Sequence, residues 1–332
     1  MNASPPAAPF DALDPGLVVE SVEEAFGLRL DGYWFSYPSY VNRVYGLRDE
    51  DGLEYVVKFY RPGRWDEATI REEHRFIFQL AAAEVPVASP ICDGEGESLQ
   101  ALVLEDDDGR ETIYPFGLFP KRGGRTFDAD NDGDWRRLGS LAGRIHAVGR
   151  LEAALSRPVF EPGVLDTYAR ELLDPGLVYP DCAHDFQDAC AAASAILDPV
   201  LGGAQRMRIH GDFHRGNILD RGGEGLLVID LDDMAMGPAV QDLWLLLPGH
   251  ARECGRQFEL ILEGYEEFSD FNRAELSLIE PLRVLRMVRF LAWQARQRSD
   301  AGFSRAFPDW GSKSFWIKEL EDLRDQLGEL EP

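Results

Sequence analysis

The sequence predicts an α+β fold of two lobes, a small N-terminal β-sheet lobe with one helix and a larger, mostly helical C-terminal lobe. Three observations predict it. Between residues 33 and 121 the patterns follow the order strand, strand, helix, strand, strand. After the glycine-containing stretch "KRGGRTF" the alternation gives way to helical periodicity. With 332 residues, of which 45% are hydrophobic, the chain can form one large domain or two modest ones.

The N-terminal lobe is predicted to begin, after an extension and helix over residues 1–32, with a β-hairpin. In it "NRVYGL" and "LEYVVKFY" flank the turn "RDEDG". A helix is expected over residues 66–83, where Ile70, Ile77 and Leu80 share one face and the prolines of "EVPVASP" end it. The stretches "SLQALVLED" and "TIYPFGLFP" are predicted to form two further strands.

The C-terminal lobe, residues 122–332, is predicted to open with the helix "DWRRLGSLAGRIHAV" and to contain a β-hairpin over residues 217–230. The preceding stretch "DADNDGD" has acids at the first, third and fifth positions of a calcium loop. Its twelfth position is Gly139 instead of glutamate, so we expect Asn131 or Asp132 to cap the helix instead.

Charge and composition narrow the classes of partner. A net charge of −25 argues against binding to nucleic acid or to an anionic membrane face. The apolar segment 276–293 is interrupted by charged residues, and the first residues do not resemble a signal peptide. Four cysteines without metal-binding spacing indicate free thiols. We therefore expect a cytoplasmic protein, and we expect it to be a monomer.

The stretch "HGDFHRGNIL" concentrates polar side chains just before a strand. Asn217 precedes the first strand of the predicted hairpin and Asp230 ends the second, so the two should meet at the same end. Asp212 lies five residues before Asn217. Two of these oxygen donors suit Mg²⁺, and the third is left to face a hydroxyl nucleophile. Phosphoryl transfer requires this combination, although each residue alone could belong to a polar turn.

A phosphate-binding cation is available on the hairpin. Lys58 lies mid-strand on the face shared by the apolar Val56 and Tyr60, where an unpaired lysine is costly. Glu73 lies on the apolar stripe of the predicted helix, so an ion pair between Lys58 and Glu73 is expected. The alternative is that Glu73 merely borders the surface.

These motifs together resemble a known family. "HGDFHRGNIL" and "VIDLDD" are similar to the aminoglycoside phosphotransferase and choline kinase group, a branch of the protein-kinase-like fold. "NRVYGLRDEDGLEYVVKFYRPGRW", "DLDDMAMGPAVQDLWLLL" and "LIEPLRVLRMVRFLAW" resemble the bacterial stress response kinase A family, over nearly the whole chain. The resemblance implies a bilobal serine/threonine protein kinase that uses ATP and Mg²⁺, acts in stress responses and protects against cell death.

The resemblance also implies roles for individual residues. Asp212 would be the proton acceptor, and Asn217 and Asp230 the Mg²⁺ ligands, Asp230 being catalytic as well. Within an ATP-binding lobe of residues 33–121, Lys58 and Glu73 would orient ATP and Ser39 would contact it. Two alternative functions stay open. One is a small-molecule kinase of the aminoglycoside, choline or homoserine type, which would use the same residues, and the other is a non-catalytic regulator.

Neighbouring residues have supporting roles in this interpretation. We expect His210 and Gly211 to hold the loop that carries Asp212, and Asp242 to be a buried acid that anchors its backbone. His214 could steady the loop or contact substrate. Asp232 and Asp233 could hold a second Mg²⁺ or a metal-bound water, or repel a wrong acceptor.

Overall fold

The computed structural model describes residues 10–106, 108–300 and 302–330. The chain divides into two compact units: the first contains the residues up to Phe127 together with Asn217–Asp232, and the second contains Asp128–Gly216 and Asp233–Pro332. The α+β class, with an antiparallel sheet near the N-terminus and a mostly helical remainder, is confirmed. No helix in the described ranges combines the length and the apolar character needed to cross a lipid bilayer.

The helices and strands are numbered in chain order. The strands are β1 Leu30–Tyr37, β2 Arg43–Asp49, β3 Glu54–Phe59, β4 Gln100–Glu105, β5 Glu111–Pro120, β6 Arg125–Thr126, β7 Met207–Ile209, β8 Ile218–Asp220, β9 Leu226–Val228 and β10 Ala235–Gly237. The helices are α1 Pro15–Phe26, α2 Glu67–Ala82, α3 Asp132–Gly149, α4 Val164–Leu173, α5 Pro180–Gly203, α6 Val240–Trp244, α7 Gly255–Tyr265, α8 Ile279–Gln297, α9 Phe303–Ala306 and α10 Lys313–Gly328.

The first unit is built on a five-stranded antiparallel sheet in the order β1-β2-β3-β5-β4. Alternate residues of β3 enter its core, where Val57 and Phe59 are fully buried against Leu47, Phe116 and Leu118. This alternation is the period of two that the sequence displayed. The predicted β2–β3 hairpin and the two later strands are confirmed.

Helix α2 lies within one residue of its predicted span. The side chain of Asp66 caps it by accepting the Thr69 backbone N–H at 2.8 Å. Ile70, Ile77 and Leu80 form its buried face, as expected, and Glu73 is buried beside them. An amphipathic helix therefore carries one carboxylate into the interior of the first unit.

The hairpin of residues 217–230 was expected within the C-terminal lobe, but in the structure its residues belong to the first unit. Strands β8 and β9 pair with Ile218 opposite Val228. The short strand β6, which the local pattern did not reveal, pairs with β8 and makes a sheet of three strands. A parallel bridge between Val87 and Val228 adds a further connection to the N-terminal segment.

The second unit is mainly helical. Asn131 caps α3 by accepting the Asp134 backbone N–H at 3.2 Å, so the capping interpretation of the calcium-like stretch is confirmed. Helices α3 and α7 pack with their backbones in close contact. A Cβ on Gly139 would lie only 1.8 Å from the Ile261 carbonyl oxygen, so no side chain fits at this position. A glycine at position 139 is thus explained by packing.

Candidate active site

Lys58 lies at the centre of an ionic cluster in the first unit. It lies on β3 with only 8% of the residue exposed. Its ammonium is 2.9 Å from an Asp230 carboxylate oxygen, 3.4 Å from Asp232 and 3.8 Å from Glu73. The expected ion pair between Lys58 and Glu73 is therefore present, since strand and helix bring the two charges together.

The cluster keeps Lys58 positively charged. Burial alone would lower the pKa of Lys58, but the negative charges of Asp230, Asp232 and Glu73 together hold that pKa well above its usual range. A permanently charged ammonium so close to solvent-accessible Asp230 is suited to binding phosphate oxygens.

Asn217 and Asp230 flank the open end of the β8–β9 hairpin. The Ile229 backbone N–H donates to the Asn217 carbonyl at 3.0 Å, so the residues adjoining the two strands lie side by side, as the sequence predicted. Asp230 has φ of 62°, in the left-handed region that residues other than glycine rarely adopt. Its side chain remains 52% exposed.

The chemistry of these donors suits a divalent cation. Glu73, Asp230 and Asp232 bring three negative charges to the cluster, against two positive charges from Lys58 and Arg64. A carboxylate and an amide at one end of a hairpin supply hard oxygen ligands, which Mg²⁺ prefers. Across the described residues no group of three or more His, Cys, Asp or Glu side chains forms a metal-binding arrangement.

Asp232 is tied into the fold of the first unit. It is 3% exposed, accepts a hydrogen bond from the Asn42 amide at 3.2 Å and forms an ion pair with Arg64. Asn42 also accepts the Arg61 backbone N–H at 3.2 Å. These contacts connect the residues after β9 to the turn before β2.

That turn also contains Ser39. Its hydroxyl accepts the Asn42 backbone N–H at 3.4 Å, and its carbonyl accepts a hydrogen bond from the Arg43 guanidinium at 3.1 Å. Ser39 therefore shapes the connection between β1 and β2.

Asp212 belongs to the second unit and has two cationic or hydrogen-bonding neighbours. Arg286 on α8 donates to one carboxylate oxygen at 2.8 Å, and the His214 Nε2 lies 3.4 Å from the other. The His214 Nδ1 accepts the Gly216 backbone N–H, which leaves Nε2 to carry the proton that faces Asp212. Burial would raise the pKa of Asp212, but His214 and Arg286 outweigh it and hold the pKa well below the ordinary value of 3.8.

The backbone before Asp212 is anchored by Asp242 on α6. Its two carboxylate oxygens accept the backbone N–H groups of His210 and Gly211, each at 2.8 Å, and the His146 Nε2 lies 2.9 Å from it. The His210 Nδ1 accepts the Asp212 backbone N–H at 3.3 Å. The expected anchoring by Asp242 and His210 is confirmed.

Gly211 makes this loop geometry possible. Its φ is 84°, and a Cβ there would lie 2.0 Å from the Asp233 carbonyl oxygen. Asp233 in turn forms an ion pair with Arg289 at 2.6 Å, one turn along α8 from Arg286. Reasoning from the sequence treated both arginines only as interruptions of an apolar segment. Their spacing of three residues on one helix was the available signal for a shared face.

Comparison with known proteins extends these observations. Residues 38–279 match the phosphotransferase enzyme family. "Stress response kinase A" of Escherichia coli K12 is 38% identical over 339 residues, covering 100% of this chain and 97% of that protein. "Serine/threonine protein kinase RdoA" of Salmonella typhimurium LT2 is 39% identical, covering 96% and 93%. Among solved structures, "Amicoumacin kinase hAmiN in complex with AMP-PNP, Ca²⁺ and Ami" superposes with a TM-score of 0.69 at 18% identity, covering 95% and 94%, which shows a shared fold.

Proposed function

Because this chain belongs to the phosphotransferase enzyme family, we propose that it is an ATP- and Mg²⁺-dependent protein kinase that phosphorylates serine and threonine hydroxyls. Its relatives are named stress response kinase A and serine/threonine protein kinase, so we place its activity in a bacterial stress response. Protection against cell death is part of the proposal that rests on the family resemblance alone. One observation carries the proposal: Lys58 is paired at once with Glu73 from α2 and with Asp230 from the end of β9.

Residues of the first unit would bind the nucleotide. Lys58 donates hydrogen bonds to phosphate oxygens of ATP, and Glu73 fixes the direction of its ammonium. Asn217 and Asp230 would hold Mg²⁺, which when bound neutralises negative charge on the phosphates. The Ser39 hydroxyl and the backbone of its turn add a further contact to ATP within the lobe of residues 33–121.

Asp212 would act on the acceptor. It accepts a hydrogen bond from the serine or threonine hydroxyl, orients its oxygen toward the γ-phosphoryl group and takes the proton late in transfer. Its depressed pKa makes it a weak base, so orientation is its main contribution. Asp242 and His210 are positioning residues, since they fix the backbone from which Asp212 projects.

The test compares acceptors and variants under one set of conditions. Purified protein is supplied with γ-labelled ATP, Mg²⁺ and either a basic protein such as myelin basic protein or a panel of choline and amino sugars. We expect label in protein, and we expect Asp212→Asn to reduce transfer by about 10²–10⁴-fold while ATP affinity is nearly unchanged.

A matched control and two contrary outcomes complete the design. Asp185→Asn removes an exposed carboxylate that pairs with Arg324 in the same unit, so it should transfer at the wild-type rate. Label found in a small molecule and absent from protein would establish the rival metabolite kinase. Transfer at full rate by Asp212→Asn would show that the assignment of Asp212 is wrong.

A further inference from the structure

A buried chain of hydrogen bonds leads from Glu73 to the loop before β4. The Tyr60 hydroxyl lies 3.4 Å from a Glu73 carboxylate oxygen and 2.8 Å from the His74 Nε2. The His74 Nδ1 lies 2.9 Å from the Ser98 hydroxyl. All four side chains belong to the first unit, and none of these residues is more than 8% exposed.

The hydroxyl of Tyr60 has a single proton, and this fixes the direction of the chain. A buried carboxylate accepts hydrogen bonds, so Tyr60 donates to Glu73. The His74 Nε2 must then donate to the Tyr60 oxygen, and Nδ1 can accept from Ser98. Every bond points toward Glu73, so the donors reinforce one another in a low-dielectric interior.

Tyr60 also contacts the other member of the ion pair. The Lys58 ammonium lies 4.8 Å from the centre of the Tyr60 ring. The separation of 3.8 Å between Lys58 and Glu73 is long for an ion pair, whereas Asp230 is only 2.9 Å from Lys58. The Tyr60 hydroxyl therefore adds a second contact to the Glu73 carboxylate, on the same oxygen that faces Lys58.

We propose that Tyr60 and His74 are positioning residues that hold Glu73, and through it Lys58, in the geometry that binds the phosphates of ATP. The inference rests on the proposed role of Lys58 and Glu73 in nucleotide binding. It assigns a function to the tyrosine that directly follows β3 and to the histidine adjacent to Glu73 on α2.

A double-mutant cycle tests the inference. The dissociation constant for Mg²⁺–ATP is measured by calorimetry for wild type, Tyr60→Phe, Glu73→Gln and the double variant. We expect Tyr60→Phe to weaken binding about tenfold, the effect of one buried hydrogen bond to a charged group. Glu73→Gln should weaken it at least as much, and the double variant no further than Glu73→Gln alone, because Tyr60 acts through Glu73.

Tyr55→Phe is the matched control. The Tyr55 hydroxyl donates to the Asp49 carboxylate at 2.8 Å in the same sheet, so its loss removes a similar buried bond without touching Glu73. Its thermal unfolding should shift as much as that of Tyr60→Phe, with ATP binding unchanged. If Tyr60 has a purely structural role, Tyr60→Phe will bind ATP as tightly as wild type. If Tyr60 affects binding independently of Glu73, the two losses will multiply in the double variant, and either result would overturn the inference.

His74 provides a second, independent measurement. His74→Gln places an amide N–H where Nε2 donates to Tyr60, whereas His74→Leu offers no donor. We expect His74→Gln to retain most of the affinity for Mg²⁺–ATP. His74→Leu should weaken that affinity, by no more than Tyr60→Phe does. Equal affinity in both variants would contradict the donor role. Unchanged affinity in Glu73→Gln would be a different failure, since it would refute the proposed function of Glu73 itself.

Discussion

Replacing Asp242 with asparagine tests how much the Asp242 carboxylate contributes to holding the loop that carries Asp212. The carboxylate accepts three hydrogen bonds: one oxygen takes the Gly211 N–H, and the other takes the His210 N–H and faces His146. Asparagine has one acceptor oxygen, which can keep the two contacts on one side. Its amide N–H₂ must then face the Gly211 N–H, so one buried, charge-assisted hydrogen bond is lost.

The loss of that bond can be expressed as a change in stability. A hydrogen bond to a charged group contributes about 1.5–3 kcal/mol to the free energy of unfolding. Because the substitution also leaves one donor facing another, we expect a loss of about 2–3 kcal/mol. For a unit of this size, about 2–3 kcal/mol corresponds to a decrease in Tm of about 4–12 °C. Differential scanning calorimetry of the full chain measures it directly.

Asp106→Asn is the control for this substitution. Asp106 accepts the backbone N–H groups of Asp108 and Arg110 with a single oxygen in an exposed turn, and asparagine can keep both. We expect its effect to stay within about 0.5 kcal/mol. If Asp242→Asn unfolds at the wild-type temperature, the reasoning that this carboxylate holds the loop is refuted.

Two further outcomes follow, one from the packing and capping of α3 and one from the charges around Asp212. Gly139→Ala should lower Tm by more than Asn131→Ala does. The alanine methyl group at position 139 would overlap the backbone of α7, whereas Asn131→Ala removes only the cap of α3, a loss of about 1 kcal/mol. Equal Tm values for the two variants would contradict this reasoning. His214 and Arg286 hold the pKa of Asp212 below 3.8, so the ionised carboxylate stabilises the fold above pH 3.8, and this contribution is lost as the pH falls toward the depressed pKa. The difference in unfolding free energy between wild type and Asp212→Asn, measured by urea titration, should therefore shrink in acid, and a constant difference would show that the pKa is not depressed.

Local sequence patterns were sufficient to predict most of the helices and strands named in the sequence analysis, and part of the candidate active site. Alternation and turn residues located the β2–β3 hairpin, and a single misplaced carboxylate on an apolar stripe identified Glu73 as the partner of Lys58. These inferences succeed because burial makes an unpaired charge costly, whichever fold surrounds it. The anchoring role of Asp242, in contrast, was predicted from the family resemblance.

Contacts between distant segments could not be inferred in this way. Arg64 pairs with Asp232 across 168 positions of sequence, and Arg286 reaches Asp212 across 74. Strand β6 has only two residues, too few for a periodic pattern, and it forms because β8 offers it a partner. The hydrogen-bond chain through Tyr60 and His74 likewise depends on side-chain directions that a one-dimensional pattern does not contain.

The central claim is that Lys58, Asn217 and Asp230 bind the phosphates and the metal of the nucleotide. A crystal structure of the protein with Mg²⁺ and a non-hydrolysable ATP analogue tests it most directly. We predict that phosphate oxygens lie within hydrogen-bonding distance of the Lys58 Nζ and that the metal is coordinated by Asn217 and Asp230. A triphosphate bound elsewhere, with these three side chains contacting neither nucleotide nor metal, would contradict the account.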